Sequence, residues 1–482
     1  MPRPYDAVIV GAGPNGLAAA NCLADAGLSV VVLEMGDAIG GGARTGALTE
    51  PGFLHDLCSA VHPFGALSPC FRSFGLERYG LTWVQPDIPL AHPLEDGRVA
   101  VLHRSLDETC RALGADGEAY RRLVAPFLAN AERTFDEILR PLRLPRHAWL
   151  MARFGVVAMQ PATRVVRRFR EEPAKALLAG LSAHSIRSLD EPFTAAFGLS
   201  LALAAHYVGW PVAKGGSQAI AGALAARLAE RGGEIRTSHP VRTLRDVPPT
   251  RTVLFDLTPK QVLEIAGEAL PPGYQRRLRR YRYGPGVFKV DWALAGPIPW
   301  RADACRRAGT VHLGGSLAEI LESERRVVQG EVTDRPYVLL AQQSLFDATR
   351  APAGRHTGWA YCHVPNGSTV DMTAAIEDQI ERYAPGFRDL ILSRRTWTSQ
   401  DLERRNPNLV GGDIAGGAND WRQILFRPVA RLDPYATPNP RLFIGSSATP
   451  PGGGVHGMCG QGAARSVLAR IRQSRGRSVG WR

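Results

Sequence analysis

The sequence lacks the patterns that mark several common protein classes. No stretch reaches the roughly 18–20 uninterrupted apolar residues of a membrane-spanning helix. Its seven cysteines form neither a CxxC pair nor a Cys/His cluster with zinc-ligand spacing. There is also no internal repeat and no low-complexity tract. We therefore expect a globular protein with reduced thiols, no metal ion and no dithiol–disulfide chemistry.

The N-terminal residues do not resemble a secretion signal. The first strand pattern begins at Tyr5, with no basic region and apolar stretch before it, so we expect a cytoplasmic protein, with attachment to a membrane surface as the other option. The net charge of +13 is carried mostly by arginine. It is compatible with nucleic acid, an anionic membrane or an acidic partner, and equally with a compositional bias. We expect no nucleic-acid partner.

The first 34 residues have the pattern of a β-turn-α-β unit. A β-branched run at 5–10 precedes a glycine-rich turn, an alanine-rich helix at 14–26 follows, and a second buried strand spans 29–34. Gly27 stops the helix. This order is required for dinucleotide binding and predicts a parallel sheet.

The turn itself carries a GxGxxG motif at Gly11, Gly13 and Gly16, with Pro14 and Asn15 inside it. Gly11 permits the tight turn, Gly13 lets the backbone approach a pyrophosphate, and Gly16 allows close helix–strand packing. The helix N-terminus faces the phosphates. Glu34, eighteen residues beyond Gly16, is placed to accept hydrogen bonds from an adenosine ribose. We therefore predict a dinucleotide site.

A second glycine run indicates that the dinucleotide is FAD. It spans residues 40–45 and supplies Gly41, Gly42, Ala43 and Arg44. FAD proteins of the glutathione-reductase-like class place such a run along the pyrophosphate, and Arg44 would add positive charge there. The alternatives are a flexible loop and a solvated arginine. No second GxGxxG unit appears, so reoxidation by oxygen, a quinone or the product is expected rather than by NAD(P)H.

Weaker patterns predict the elements that follow. The spacing of Ser105 and Glu108 indicates a helix N-cap, and Asp116 is a second N-cap candidate. Residues 234–244 read as strands, and 406–430 form a Gly/Asn/Pro-rich loop. A loop of that length usually serves a function.

The C-terminal block at 443–460, Phe-Ile-Gly-Ser-Ser-Ala-Thr-Pro-Pro-Gly-Gly-Gly-Val-His-Gly-Met-Cys-Gly, is specific when taken with the N-terminal motif. Together they resemble the FAD-dependent phytoene desaturase and carotenoid isomerase superfamily, in particular the branch with pyridine nucleotide-disulfide oxidoreductase domain-containing protein 2. Further matching segments are 214–217, 284–291 and 406–413. The resemblance covers most of the chain and is weakest at about 105–205.

This resemblance implies an α/β fold in which a glutathione-reductase-like FAD-binding Rossmann domain is interleaved with an α+β substrate domain. The FAD-binding domain is expected to be discontinuous, over 1–75, 206–262 and 428–482. Residues 76–205 and 263–427 are expected to form the substrate-binding domain with a helical cap.

The resemblance also implies which residues hold FAD. The segment from Gly453 to His456 should run beside the isoalloxazine ring, with the helix from Gly457 directed at its pyrimidine side, where a helix N-terminus stabilises negative charge. Val241 would contact adenine through its backbone. Many relatives carry Gly-Asp where this chain has Gly445 and Ser446. The other predicted cofactor contacts are Met35, Gly454, Val455 and Met458.

Three polar residues are catalytic candidates: His55, Asp56 and His456. The first two lie where relatives pass a strand near the flavin, and the third lies in the glycine loop. For each, the alternative is a structural group with satisfied hydrogen bonds. Lys289 is a further candidate, because a buried lysine beside flavin can hold a reactive water, although a carboxylate-paired strand lysine fits the pattern equally.

The predicted function is FAD-dependent oxidation of a small apolar substrate, lipid-like or polyene-like, with hydride passing to flavin N5. Redox-neutral isomerisation, amine oxidation and a flavin-stabilised protein without turnover remain as alternatives.

Residues 140–170 contain eight arginines and no acid around the apolar stretch 148–159. This composition is typical of a surface-lying amphipathic element. One interpretation places it at the mouth of the substrate cavity against anionic lipid. The other is a solvated arginine face over the core or a homo-oligomer interface.

Overall fold

The fold consists of two β-sheets surrounded by helices, as seen in a computed structural model that describes residues 5–141 and 143–479. The described strands are β1 (Tyr5–Val10), β2 (Val30–Leu33), β3 (Thr45–Gly46), β4 (His55–Asp56), β5 (Trp83–Val84), β6 (Ile88–Pro93), β7 (Val99–Leu102), β8 (Val212–Ala213), β9 (Glu234–Arg236), β10 (Thr250–Phe255), β11 (Gly286–Leu294), β12 (Ala308–Leu313), β13 (Val338–Ala341), β14 (His356–Val364), β15 (Ile391–Trp397) and β16 (Leu442–Ile444).

The described α-helices vary from four to 22 residues. They are α1 (Pro14–Asp25), α2 (Pro63–Leu67), α3 (Pro69–Phe74), α4 (Leu106–Ala112), α5 (Gly117–Leu128), α6 (Ala131–Ile138), α7 (Ala148–Ala158), α8 (Ala162–Val165), α9 (Glu172–Ala183), α10 (Thr194–Val208), α11 (Gln218–Glu230), α12 (Pro259–Ala266), α13 (Pro272–Arg279), α14 (Asp303–Arg307), α15 (Leu317–Gln329), α16 (Thr373–Tyr383), α17 (Ser399–Arg405), α18 (Trp421–Phe426) and α19 (Met458–Val479). No described helix is long and apolar enough to span a membrane.

The first sheet is parallel, with strand order β16-β10-β1-β2-β9. Its strands come from the three segments predicted to bind FAD, so the Rossmann arrangement expected from the N-terminal motif is confirmed. The domain boundaries themselves stay a prediction, and residues 1–4 and 480–482 within them lie outside the described residues. Because β1 lies at the centre, the turn after it opens at the carboxyl edge of the sheet, where ligands bind in such folds.

Helices α1, α11 and α19 cover this sheet around a shared apolar core. Small residues let α1 and α19 approach closely: a Cβ on Gly460 would lie 1.8 Å from the carbonyl oxygen of Asn15. The C-terminal helix is therefore held against the helix that follows the GxGxxG turn, and its N-terminus lies beside that turn.

The second sheet is mixed and has the order β15-β11-β14-β13-β12-β6-β7. All its pairings are antiparallel except β12 with β6. Every residue of β11 is buried, because a separate apolar core covers one face and the cavity described below meets the other. Strand β11 thereby positions Lys289.

Three predictions of local structure need correction. The loop expected over 406–430 contains the helix α18 (Trp421–Phe426). The strand expected over 234–244 ends at Arg236, because Ser238 takes a left-handed conformation (φ 52°) and turns the chain back toward Glu34 and Gly36. Asp116 occupies the predicted N-cap position of α5, but its side chain makes no capping bond. Its carboxylate instead accepts hydrogen bonds from the backbone N–H groups of Arg170 and Glu171. The Ser105 cap is confirmed, with Oγ accepting from the Glu108 backbone N–H at 3.3 Å.

Candidate active site

One large cavity, of about 1,180 Å³, extends from the GxGxxG turn to the helices above the second sheet. Sites for one small molecule typically occupy ~300–1,000 Å³. The cavity therefore has room for an extended cofactor together with a substrate.

The glycines of the turn form one end of the cavity. Gly11, Gly13, Pro14 and Asn15 line it, and Gly41 and Gly42 of the second glycine run lie opposite. The two loops are in contact, since a Cβ on Gly41 would lie 3.1 Å from the Cα of Gly13. Side chains at either position would therefore fill the space that a pyrophosphate needs.

Glu34 is held at the end of β2 with its carboxylate facing this part of the cavity. Its Oε2 accepts from the Ala12 N–H and its Oε1 from the Gly36 N–H, both at 2.8 Å. These bonds fix the carboxylate and leave lone pairs for a ribose. Met35 and Val241 also line the cavity. The contact of Val241 with adenine and that of Met35 with the cofactor stay predictions.

Two arginines that line the cavity lie near each other. Arg44 lines the cavity and forms an ion pair with Asp37 at 3.1 Å. Arg405 lines the cavity from α17, and burial and the charge of Arg44 lower the pKa of its guanidinium. Two cations near each other in a cavity are favourable for an anionic ligand such as a pyrophosphate. Arg405 belongs to no pattern in the sequence, although the Gly/Asn/Pro-rich segment at 406–430 begins directly after it.

The C-terminal glycine loop forms the wall next to the turn. Ser446, Gly454, Val455 and His456 line the cavity. His456 is buried, and its Nδ1 accepts from the Met458 backbone N–H at 3.1 Å, so this ring caps α19. Burial lowers the pKa of the imidazole to about 4. Neutral His456 therefore positions the glycine loop. Its Nδ1 is not available as a base, because it already accepts the Met458 N–H.

Four predicted cofactor residues support the site from behind the cavity surface: Gly16, Ala43, Gly445 and Met458. The Gly16 N–H donates to Asp256 Oδ2 at 2.8 Å, and a Cβ there would lie 2.1 Å from the Gly11 carbonyl oxygen. A Cβ on Gly445 would lie 2.8 Å from that of Ala463. Both glycines therefore permit close packing rather than ligand contact.

His55 and Asp56 also lie beneath the cavity surface. Asp56 accepts from the Nη1 of Arg350 at 2.9 Å and from the Ser217 backbone N–H at 2.7 Å, and it has no exposed side-chain surface. His55 Nε2 is 2.7 Å from Thr49 Oγ1, and burial lowers its pKa to about 3. The geometry gives both residues a positioning role, contrary to the prediction that they face the reacting atoms.

Lys289 reaches the cavity from β11. It is buried, its Nζ is bonded to Asp291 Oδ2, and it lies 5.7 Å from the centre of the Trp359 ring. Burial raises the pKa of the Asp291 carboxyl, while the Lys289 charge opposes that shift. The carboxylate pairing of Lys289 is therefore found, and its position in the cavity lining leaves a role beside flavin as a prediction.

Arg427 was not singled out by the sequence, yet it is 2% exposed and lines the cavity. Its guanidinium donates to neutral acceptors: the carbonyl oxygens of Gln423 and Ser447, and Oδ1 of Asn419. Among the described ion pairs, none involves Arg427. Buried Asp413 lies close enough for the charge of Arg427 to oppose the rise that burial causes in the pKa of its carboxyl, but the two form no ion pair among the described residues. A buried cation without a paired anion is costly, which favours a negatively charged occupant of the cavity.

These residues fit FAD. Glycines leave room at the turn, Glu34 is fixed for a ribose, and Arg44 and Arg405 supply positive charge. The side-chain oxygen of Asn15 is buried in the same region without a partner. A polar atom of the cofactor would satisfy such a group.

Comparison with known proteins agrees with this site. The family model for flavin containing amine oxidoreductases matches residues 15–266. The chain is 28% identical to pyridine nucleotide-disulfide oxidoreductase domain-containing protein 2 of Mus musculus, over 97% of this chain and 94% of that protein. It is 25% identical to a neurosporene-forming phytoene desaturase of Rhodobacter capsulatus, over 95% and 92%.

Solved structures share the fold. An oxidoreductase from Methanosarcina mazei superposes with a TM-score of 0.63 at 15% identity, covering 96% of this chain and 99% of that one. Putrescine oxidase bound to putrescine gives 0.60 at 16% identity, covering 97% and 99%. The glycine turn, the fixed Glu34 and the C-terminal loop are thus found in a chain that belongs to the flavin-containing amine oxidoreductase family and is an FAD-dependent oxidoreductase.

Proposed function

We propose that the protein oxidises a small apolar substrate by transfer of hydride from a substrate carbon to N5 of bound FAD. The observation that carries this proposal is the wall of the cavity contributed by α7, α10, strands β11–β14 and the segments on either side of α10. Its apolar members include Met151, Phe154, Phe193, Phe197, Leu201, Trp210, Leu339 and Trp359. Among the described lining residues of these helices and strands, and of the segments 184–193 and 209–210, none is acidic.

The chain's own residues contribute binding, orientation and exclusion of water. The apolar wall favours a lipid-like or polyene-like molecule and keeps the reacting region dry. The N-terminus of α19 and the buried Arg427 favour negative charge in the cavity. Flavin, when bound, supplies the two-electron chemistry. A prominent acid–base pair is therefore not required.

Anaerobic bleaching of the flavin tests this function. Apolar alkenes, terpenoid hydrocarbons and long-chain amines are added separately to the FAD-loaded protein without oxygen. We expect the visible absorbance to fall with one or more of the apolar compounds, with stoichiometric formation of a product carrying one more double bond. Product formation without bleaching would instead support redox-neutral isomerisation. Absence of both reactions across the apolar set would contradict the proposal.

Amine oxidation is the second candidate, and two observations favour it. The family name refers to amines. In addition, Trp359 and Tyr361 line the cavity as an edge-to-face pair with centroids 5.2 Å apart, next to Lys289. Bleaching by an amine but by none of the apolar compounds would decide in its favour. Against it stands the lack of a free acid for an ammonium ion, which would need a counter-charge. The described lining residues of α7, α10 and β11–β14 include no acid, and Glu137 of α6, which also lines the cavity, is paired with Arg143.

We also propose that residues 140–170 attach the protein to an anionic membrane. Helix α7 places Phe154 in the cavity wall and leaves Trp149 (84% exposed) and Val156 (67%) on the protein surface. Leu144 (94%) and Met159 (56%) extend this apolar surface. Leu142 lies outside the described residues.

The charges of this segment support a lipid partner. Asp136 and Glu137 pair with Arg140 and Arg143. The described structure gives no carboxylate partner to the other arginines of the segment, which are exposed: Arg146, Arg153, Arg164, Arg167, Arg168 and Arg170. Exposed tryptophan and cationic side chains together suit the interface of an anionic membrane.

Replacing Arg164, Arg167 and Arg168 by serine should weaken vesicle binding. Each basic residue near an anionic surface contributes roughly 1 kcal/mol, so the loss is on the order of 100-fold. Co-sedimentation with phosphatidylserine-containing vesicles, compared with neutral vesicles and with high salt, measures it. The control replaces the exposed Arg276, Arg277 and Arg279 of α13 by serine. No sedimentation at low salt, or equal losses in both variants, would leave the subunit-interface interpretation.

A further inference from the structure

A pair of neutral histidines lies at the apolar wall of the cavity, away from the flavin loops. His184 follows α9 and is half-buried, and it lines the cavity; His312 lies on β12 and is fully buried behind it. Their Nε2 atoms are 3.2 Å apart, within hydrogen-bond distance. Burial lowers the pKa of His184 to about 3, and it also lowers that of His312. One ring must therefore donate and the other accept.

The surroundings of His312 indicate which ring donates. Its Nδ1 is buried without a partner, and a Cβ on Gly180 would lie 3.0 Å from it. A buried N–H without an acceptor is rarer and costlier than an unpaired lone pair. The proton of His312 therefore lies on Nε2 and is donated to His184 Nε2. Neutral His184 then carries its own proton on Nδ1.

That second N–H of His184 has no protein acceptor among the described residues. Trp210 packs edge-to-face against the ring, with centroids 6.0 Å apart, and His312 occupies Nε2. Because His184 lines the cavity, its Nδ1–H is available to an occupant of the cavity. The hydrogen bond from His312 to Nε2 of His184 thus fixes the tautomer of His184, because the partner of one ring nitrogen decides which nitrogen carries the proton.

A second polar group faces the same cavity without a partner. Thr310 precedes His312 by two residues on β12, so both side chains point to the same face of the sheet. Thr310 is 5% exposed, lines the cavity, and its Oγ1 has no hydrogen-bond partner in the described structure. A buried hydroxyl normally finds one. The apolar wall therefore contains two unfilled hydrogen-bonding positions.

We infer that His184 and Thr310 form a polar subsite that binds a neutral oxygen atom, a hydroxyl or carbonyl, of the substrate. This inference rests on the proposed oxidation of an apolar substrate and narrows its class to an oxygen-containing apolar molecule. His184 Nδ1–H donates to the oxygen, and the Thr310 hydroxyl donates to a carbonyl or accepts from a hydroxyl. A pure hydrocarbon would leave both groups unpaired, and an ammonium group would meet the N–H donor of His184.

Binding of 1-decanol and decane to the FAD-loaded full-length protein tests the subsite, read from tryptophan quenching and from the shift in flavin absorbance. The quantity compared is the ratio of the two affinities in each variant, since the different water solubilities of the probes cancel between variants. His184→Phe keeps a ring but removes the donor. We expect it to reduce the decanol-to-decane ratio about tenfold, the effect of one neutral hydrogen bond, with decane affinity retained.

Thr310→Val provides a second variant that removes no protein hydrogen bond and is close in volume, so the fold is expected to persist. It should reduce the same ratio in the same direction. The control is His103→Phe, a half-exposed histidine outside the cavity lining, which should leave the ratio unchanged. Ratios that stay at the wild-type value in both cavity variants would overturn the subsite while leaving the apolar site intact. Failure of the wild type to bind either probe would overturn the apolar site and the subsite with it.

Discussion

Replacing Gly13 by valine is expected to yield protein that does not retain FAD through purification. A Cβ at this position would lie 2.6 Å from Asp256 Oδ2, and the Cα is already in contact with the Gly41 loop. The added methyl groups would occupy the space for the pyrophosphate. The measurement is the ratio of visible to ultraviolet absorbance of the purified variant, with circular dichroism to confirm that it is folded. A folded variant that remains yellow would contradict the assignment of the site.

Two further variants separate cofactor loss from misfolding. Gly222→Val is the matched control, because Gly222 is exposed on α11 with no atom within 4 Å of an added Cβ, and it should keep FAD. Gly13→Val combined with Asp256→Ala removes the carboxylate that the new side chain meets. If the double variant is folded and still colourless, the valine side chain prevents FAD binding by filling the space of the cofactor. Recovery of FAD would show that Asp256 alone caused the loss.

Replacing Asp291 by alanine is expected to destabilise the protein by about 3–5 kcal/mol, because it leaves the buried Lys289 without its carboxylate. The double variant Lys289→Met, Asp291→Leu should recover most of that loss, since apolar residues of similar size can replace a buried ion pair. Urea unfolding followed by tryptophan fluorescence measures both. If the single and double variants are equally stable, the buried Lys289 does not need the Asp291 carboxylate for the stability of the fold.

The stability of the single variant Lys289→Met should fall as the pH rises. Burial raises the pKa of Asp291, and loss of the lysine removes an opposing influence. The folded state then binds a proton more tightly than the unfolded state, so its stability is greatest at pH values below the carboxyl's ordinary pKa and falls as the pH rises. The double variant Lys289→Met, Asp291→Leu separates this structural effect from a role in the reaction. If that variant is stable but its flavin is no longer bleached by substrate, the pair also takes part in the reaction.

The dinucleotide unit was predictable because its signal is local. The whole unit, from the first strand to Glu34, lies within 34 residues. The spacing of its glycines can be read from the sequence alone. The parallel sheet and the FAD site follow from that unit. The C-terminal loop added residues far away in sequence, and the resemblance rather than any pattern of spacing placed them beside the turn.

The residues that the sequence misplaced depend on partners far along the chain. His55 and Asp56 are adjacent on a two-residue strand, and alternation gives no indication that both are buried. Asp56 is fixed by Arg350, 294 residues later, and His55 lies near Asp291. Asp116 likewise serves Arg170 and Glu171 rather than its own helix. Local spacing predicts a candidate hydrogen bond, and the tertiary fold decides which one forms.

His184, Arg405 and Arg427 were missed for a related reason. Each comes from a different element, α17 or the segments beside α9 and α18, and the cavity brings them together. None belongs to a spacing pattern with a known chemistry. The one indication was the length of the loop at 406–430, which begins beside Arg405 and includes Arg427.

The isolation of Arg427 has a consequence for the life of the protein in a cell. Without an anion in the cavity, the Arg427 guanidinium is hydrogen-bonded only to neutral acceptors. Burial of this charge lowers the free energy of unfolding, which is the margin of the folded state. A bound anionic cofactor restores that margin by stabilising only the folded state. Newly made chains that lack flavin are then the ones most exposed to proteases. The amount of this protein should consequently follow the supply of riboflavin, and a flavin-starved cell would lose the polypeptide itself as well as its activity.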